Sequence, residues 1–156
     1  MNTTITAQPG TPFIDIEREF NAPPALVHRA WTEADLVKQW LGPRDTKMGV
    51  FDYDARTGGG YRYVHLGDDG QEYAFRGVFH TVTPERIIQT FEFEGWPDQV
   101  SVETMTFEDL GDGRTRVRSR SVFPSVEARD GMVESGMEHG VVESYERLDE
   151  VLAKAA

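Results

Sequence analysis

The chain contains no cysteine. That excludes a disulfide framework, a thiolate nucleophile and any sulfur-ligated metal, and nothing marks an oxidising compartment. Positive charge is also scarce: 16 Lys and Arg stand against 27 Asp and Glu, a net charge of −11. Such a surface repels a phosphate backbone or an anionic membrane face, so nucleic acid is not an expected partner. No apolar run approaches the roughly 18 to 20 residues of a membrane span. The first dozen residues lack the basic segment and apolar run of a secretory leader, and the cytoplasm is the expected location. Histidine is sparse, with four residues at positions 28, 65, 80 and 139 that stand far apart in the sequence. There is no Gly-x-Ser-x-Gly elbow, and no specific pairing of a nucleophile with a base or of two carboxylates. Gly58-Gly59-Gly60 opens a strand pattern, with no Lys-Ser or Lys-Thr after it, so it is no phosphate loop. His139 and Glu143, one helical turn apart, offer two metal ligands without a third. No catalytic residue, metal or cofactor is expected, and the reading leans away from an enzyme.

What is present suits one domain of α+β class. At 156 residues, with 38% hydrophobic and 11% aromatic side chains, the chain can build a single core. Met1 to Pro12 is rich in Thr, Pro and Gly with only Ile5 to bury, and is expected to hang loose as a flexible tail. The domain then spans 13–156. Ile14, Ile16 and Phe20 alternate with Asp15, Glu17 and Glu19, which predicts a half-buried strand. Ala22-Pro23-Pro24 ends it, and Pro24 fits the first turn of a short helix running to about Trp31. Thr32 is placed to cap a second helix, with Glu33 and Asp35 in its first turn, and Gly42-Pro43 stops it.

Six strands are predicted next, about Lys47 to Tyr53, Gly60 to Leu66, Glu72 to Thr83, Arg86 to Glu94, Val100 to Glu108 and Arg114 to Phe123. Short turn signals such as Asp68-Asp69-Gly70 separate them, which argues for an antiparallel meander, about seven strands in all. In the last strand Arg114, Arg116, Arg118 and Arg120 share one parity and form a solvated face. A final helix runs to about Lys154, with an early break near Gly131. Steps of 100° place Val133, Met137, Gly140, Ser144, Leu148, Val151 and Leu152 on its inward face, and Glu134, Glu138, Glu146, Asp149 and Glu150 on the other.

The order of elements resembles the helix-grip fold shared by START-type lipid-transfer domains and the birch-pollen allergen. More specifically, the chain resembles the family named for the C-terminal domain of the activator of the ninety-kilodalton heat-shock protein's ATPase. The matching segments are Arg18-Glu19-Phe20-Asn21-Ala22-Pro23, Ala30-Trp31-Thr32, Gln39-Trp40-Leu41-Gly42-Pro43, Asp54-Ala55-Arg56-Thr57-Gly58-Gly59, Pro84-Glu85-Arg86-Ile87 and Ser135-Gly136-Met137. They span about Phe13 to Leu152 in order. The resemblance implies a curved antiparallel sheet with a long C-terminal helix across it, and a hydrophobic or aromatic ligand, lipids included, held between them.

Each glycine inside a helix costs about 1 kcal/mol relative to alanine, so Gly136 and Gly140 in the last helix need a compensating reason. Either the sheet backbone approaches closely there, or the missing side chains leave a hollow for a ligand. Opposite that helix the strands carry Tyr61, Tyr63, Phe75, Phe79, Phe91, Phe93 and Met105, which serve equally as plain core. With His65, Met137 and Ser144 on the same inward faces, these residues and the two glycines form the candidate ligand site. Arg18 also falls on inward parity, where a buried guanidinium needs a carboxylate, and it is read as a structural ion-pair partner. Three functions follow: a binder of a small apolar or aromatic molecule, a cyclase or aromatase-like enzyme, or a chaperone-associated interaction domain of the stress response. A homodimer is a further possible partner.

Overall fold

The computed structural model describes residues 2–155; Met1 and Ala156, the outer ends of the expected tail and domain, lie outside the described residues. Eight strands form one antiparallel sheet: β1 Thr4–Thr6, β2 Phe13–Phe20, β3 Thr46–Tyr53, β4 Gly60–Gly67, β5 Glu72–Thr83, β6 Arg86–Phe93, β7 Ser101–Gly111 and β8 Arg114–Val122. Two helices, α1 Pro24–Thr32 and α2 Ala34–Trp40, lie between β2 and β3, and α3 Val126–Glu134 and α4 Met137–Ala155 close the chain. The spatial order β1-β2-β8-β7-β6-β5-β4-β3 makes a meander of six strands whose last member pairs with β2. Irregular pairing at Met48/Phe51, Phe79/Thr81 and Asp109/Gly111 bends the strands, so the curved sheet wraps the long helix in a helix-grip fold.

The eighth strand is a correction. Thr4–Thr6, expected to hang loose, pairs with β2 through Thr4↔Glu17, Ile5↔Ile16 and Thr6↔Asp15. Ile5 packs with Ile14 and Phe123, so one apolar side chain is enough to dock a short edge strand. A second correction concerns α2, whose N-cap position is Glu33 with no side-chain cap. Thr32 closes α1 instead, its hydroxyl donating to the His28 carbonyl at 2.9 Å.

The arginine row of β8 lies on the outer face, as its parity required. Arg120 pairs with Asp15 at 2.7 Å, Arg118 with Glu17 at 3.1 Å and Arg114 with Glu19 at 3.0 Å. These exposed pairs contribute at most about 1 kcal/mol each. The core lies on the other face, where Trp31 of α1, Trp40 of α2, Phe20 of β2 and Tyr145 of α4 meet edge-on or tilted. Ring centroids are 4.8 Å apart for Trp31–Trp40, 5.6 Å for Phe20–Tyr145 and 5.8 Å for Trp31–Tyr145.

The last helix is broken, though not at Gly131. Gly136 adopts φ +84° between α3 and α4, a backbone shape that side chains resist, so it links two helices rather than thinning one. Gly131 sits inside α3, where a Cβ would stand 2.5 Å from the Trp96 ring. Val133, placed on the inward face by periodicity, is exposed because the break resets the helical phase. Asp149, placed outward, reaches back to Arg18. Both guanidinium nitrogens Nη1 and Nη2 donate to its carboxylate, at 2.8 and 2.6 Å, which makes Arg18 the ion-pair partner its parity suggested.

Candidate functional site

Between the sheet and the N-terminal half of α4 lies a cavity of about 290 Å³. It exists because the two sides are unevenly filled. The buried residues of α4 are Ser144, Tyr145, Leu148, Val151 and Leu152, all in its C-terminal part. Toward Met137 the helix presents smaller or fewer groups, and a Cβ at Gly140 would meet only Pro43 Cδ, at 3.9 Å.

The sequence-derived candidates divide clearly. Tyr61, Tyr63, His65, Phe75, Phe91, Met105, Met137, Gly140 and Ser144 all border the cavity. Phe79, Phe93 and Gly136 do not. Phe79 is buried in the main core, Phe93 pairs with Phe75 at 5.3 Å, and Gly136 is the exposed link between helices. Ser144 is partly committed to structure, because its Oγ accepts a hydrogen bond from the Gly42 amide at 2.8 Å.

Gly42 and His65 form one corner. Gly42 holds φ +100°, and a Cβ there would lie 2.4 Å from the His65 ring. Arg147 of α4 clamps the same loop, donating to the Gly42 carbonyl and the Gln39 carbonyl, each at 2.9 Å. His65 is buried against Tyr63 and Phe75, with ring centroids 5.2 and 5.7 Å away. Burial first, and the nearby Arg147 charge second, depress its pKa to about 4, so it is neutral at pH 7.

A row of polar side chains on the cavity floor escaped the sequence reading. Gln89 of β6, Glu103 of β7 and Ser121 of β8 are direct cross-strand neighbours, in the pairs Gln89↔Glu103 and Glu103↔Ser121. Ser121 Oγ donates to one Glu103 oxygen at 2.9 Å and Gln89 Nε2 approaches the other at 3.3 Å. Burial raises the Glu103 pKa, and these two hydrogen bonds only partly oppose it. Burial first and then the charge of Glu103 also raise the pKa of Tyr53, Tyr63 and Tyr145, which places the carboxyl within electrostatic reach of all three phenols. The signal was available in parity, since Glu103 alternates in phase with Met105 and Phe107, and Gln89 with Ile87 and Phe91. Tyr53 and Tyr145 also border the cavity and were likewise missed.

Among the described residues, no group of three or more His, Asp or Glu side chains could hold a metal ion, and no helix is long and apolar enough to cross a membrane. His139 meets Glu143 alone, at 3.3 Å.

No curated protein matches the chain significantly. Solved structures match over nearly their full length. A solution structure of a protein from Arthrobacter aurescens is 28% identical with a TM-score of 0.86, covering 97% of this chain and 91% of that one. A crystal structure of a protein from Rhodobacter sphaeroides is 25% identical with a TM-score of 0.88, covering 98% and 99%. One from Chromobacterium violaceum is 28% identical with a TM-score of 0.79, covering 90% and 96%. Residues 21–153 match the family model described as activator of Hsp90 ATPase homolog 1-like protein, and the chain therefore belongs to that family, on a START-like fold.

Proposed function

We propose that the protein binds a small apolar or aromatic molecule in the space between the sheet and α4. The observation that carries this reading is the cavity itself, bordered by aromatic rings from four strands and three helices. A cavity of about 150 Å³ suffices for benzene, so 290 Å³ has room for two fused rings. It stands at the small end of ligand pockets, which run from about 300 Å³ upward. The few polar groups on its floor are of the kind that orient a ligand in an otherwise apolar site.

The chaperone-interaction reading expects a filled core together with an exposed apolar patch or a coherent charged surface. Its first requirement is at odds with the cavity. The enzyme reading expects an ionisable pair deep in the site; His65 and Glu103 both border the cavity, but among the described residues no hydrogen bond or ion pair joins them, His65 packing on Tyr63 and Phe75 and Glu103 bonding Ser121 and Gln89.

The test is thermal unfolding with 1-methylnaphthalene. A ligand present at 100 times its Kd stabilises the native state by about 2.7 kcal/mol, which for a chain of this size raises the Tm by about 5 to 10 °C. Gly140→Leu fills the open space beside Pro43 and should abolish the shift while the unliganded Tm changes little. No shift in the wild-type protein with this or any other apolar ring compound would refute the reading.

A further inference from the structure

The cavity floor carries a carboxyl group whose only hydrogen-bond donors are neutral. Glu103 receives Ser121 Oγ and Gln89 Nε2, two donors for a carboxylate with about four acceptor positions. No lysine or arginine borders the cavity among the described residues. Two arginines that act on other cavity residues have partners of their own: Arg18 is bidentate to Asp149, and Arg147 holds the Gly42 and Gln39 carbonyls. His65, the other ionisable group of the cavity apart from the tyrosines, carries no charge at neutral pH. Tyr61 gives its hydroxyl proton to the Thr90 carbonyl at 2.6 Å and Tyr53 to the Trp31 carbonyl at 3.1 Å, and Glu103's hydrogen bonds among the described residues include none from Tyr63 or Tyr145. Gln89 is 8% exposed, and its buried Oε1 has no hydrogen-bond partner. At Glu103 and Gln89 acceptor positions therefore outnumber the donors that reach them.

A buried carboxylate without a cation is costly, and the cost is relieved by protonation or by an arriving positive charge. Aromatic faces surround this carboxyl, and such faces attract ammonium groups. The net charge of −11 draws cations toward the protein at long range. We infer that the cavity takes an apolar or aromatic molecule bearing a basic amine, with the ammonium group paired to Glu103 and the apolar part among the aromatic rings. This rests on the reading of the cavity as a ligand site and adds the chemical class of the ligand.

Empty, the site holds Glu103 closer to its neutral form, since burial raises its pKa. At a pH where Glu103 of the empty protein is protonated, entry of an ammonium ion ionises it and releases up to one proton to solvent for each amine bound. Affinity for the amine rises with pH up to the point where Glu103 is already ionised in the empty protein.

The test compares 1-naphthylmethylamine with the neutral 1-methylnaphthalene by titration calorimetry. A charge-assisted hydrogen bond predicts that the wild-type protein binds the amine about 10 to 100 times more tightly. In Glu103→Gln this preference, read as the ratio of the two affinities within the same variant, should vanish. Calorimetry of the wild-type protein in buffers of differing ionisation enthalpy, at a pH below the Glu103 titration, gives a second readout that needs no variant: release of about one proton per amine. Equal affinity for the two compounds, or a preference that survives in Glu103→Gln, overturns the amine assignment and leaves the apolar site standing. Failure of both compounds to bind the wild-type protein overturns the underlying ligand-site reading, and this inference with it.

Discussion

Gly42→Ala tests the corner where the α2–β3 loop meets the cavity. Two costs arise from one methyl group. The backbone φ of +100° is one that alanine rarely adopts, and holding such a residue there costs about 1 to 3 kcal/mol. The added Cβ would lie 2.4 Å from His65 Cε1 and 2.8 Å from Nε2, so the ring must shift, an overpacking cost of about 1 to 3 kcal/mol. Together the substitution should lower stability by about 4 kcal/mol, a large share of the 5 to 15 kcal/mol typical of a domain. Urea unfolding should show a lower midpoint at unchanged slope, and the Tm should fall by roughly 8 to 16 °C. The two contributions separate in a double-mutant cycle with His65→Ala. In that background only the backbone cost remains, so Gly42→Ala should cost about 1 to 3 kcal/mol less than in the wild type. A Gly42→Ala variant within 1 kcal/mol of wild type, or a cycle with no coupling, would refute the argument that close approach to His65 fixes this glycine.

The ion pair between Arg18, 3% exposed, and Asp149, 43% exposed, should respond asymmetrically to mutation. Asp149→Ala strips a buried guanidinium of its carboxylate and should cost about 2 to 3 kcal/mol, below the 3 to 5 of a fully buried pair because Asp149 is part-exposed; Arg18→Met combined with Asp149→Ala should recover most of the loss in urea unfolding. Stability should also depend on pH through two cavity groups that act in opposite directions. His65 falls from 6.5 unfolded to about 4 folded, so the unfolded chain binds the proton more tightly and stability is lost as pH drops from 6.5 toward 4, by roughly 3 kcal/mol at about 1.4 kcal/mol per pH unit. Glu103 shifts the opposite way, its folded pKa lying above the unfolded one, so its contribution is complete at low pH and is lost as pH rises through the folded value. His65→Gln should remove the loss seen on acidification, and Glu103→Gln the loss seen as pH rises, in urea unfolding across pH.

Local pattern in the sequence was enough for most of the architecture. Period-two alternation located β2 and the six strands of the meander, and turn chemistry at Asp68-Asp69-Gly70 and Asp54-Ala55-Arg56-Thr57-Gly58-Gly59 separated them. In the second of these turns Arg56 Nε meets Asp54 Oδ2 at 2.9 Å. Nine of the twelve candidate site residues border the cavity: five on β4, β5 and β6 and Met105 on β7, where inward parity is a local property, and Met137, Gly140 and Ser144 on α4, where the helical period is. What escaped detection depends on relations between distant segments. Gln89, Glu103 and Ser121 form a row only through the registers of β6 with β7 and of β7 with β8, and no single strand reveals that. Tyr145, central to the aromatic cluster, by contrast lies at the edge of the inward face beside Leu152 and was left out because the stripe was drawn too narrow. Asp149 looked solvated on its own helix because its partner, Arg18, lies 131 positions away.

These relations also explain how the fold tolerates an unfilled space. Burial along α4 is concentrated from Ser144 to Leu152, where Tyr145 meets Phe20, Trp31 and Trp40, and Leu148 is fully enclosed. The half from Met137 to Glu143 has no buried residue and is joined to α3 through the Gly136 link. Core stabilisation at about 25 cal/mol per Å² of apolar surface removed from water therefore accrues mainly at the C-terminal half, while the segment over the cavity contributes less to global stability. Proteins place ligand-admitting elements at such low-stability ends, since a group that must yield to a guest cannot also be the keystone of the core. The polar floor belongs to the same cavity: Glu103 borders it together with Met137, Gly140 and Val141 of α4, and a carboxylate withdrawn from water without a counter-ion is costly to the empty protein and becomes favourable when a ligand supplies the missing charge.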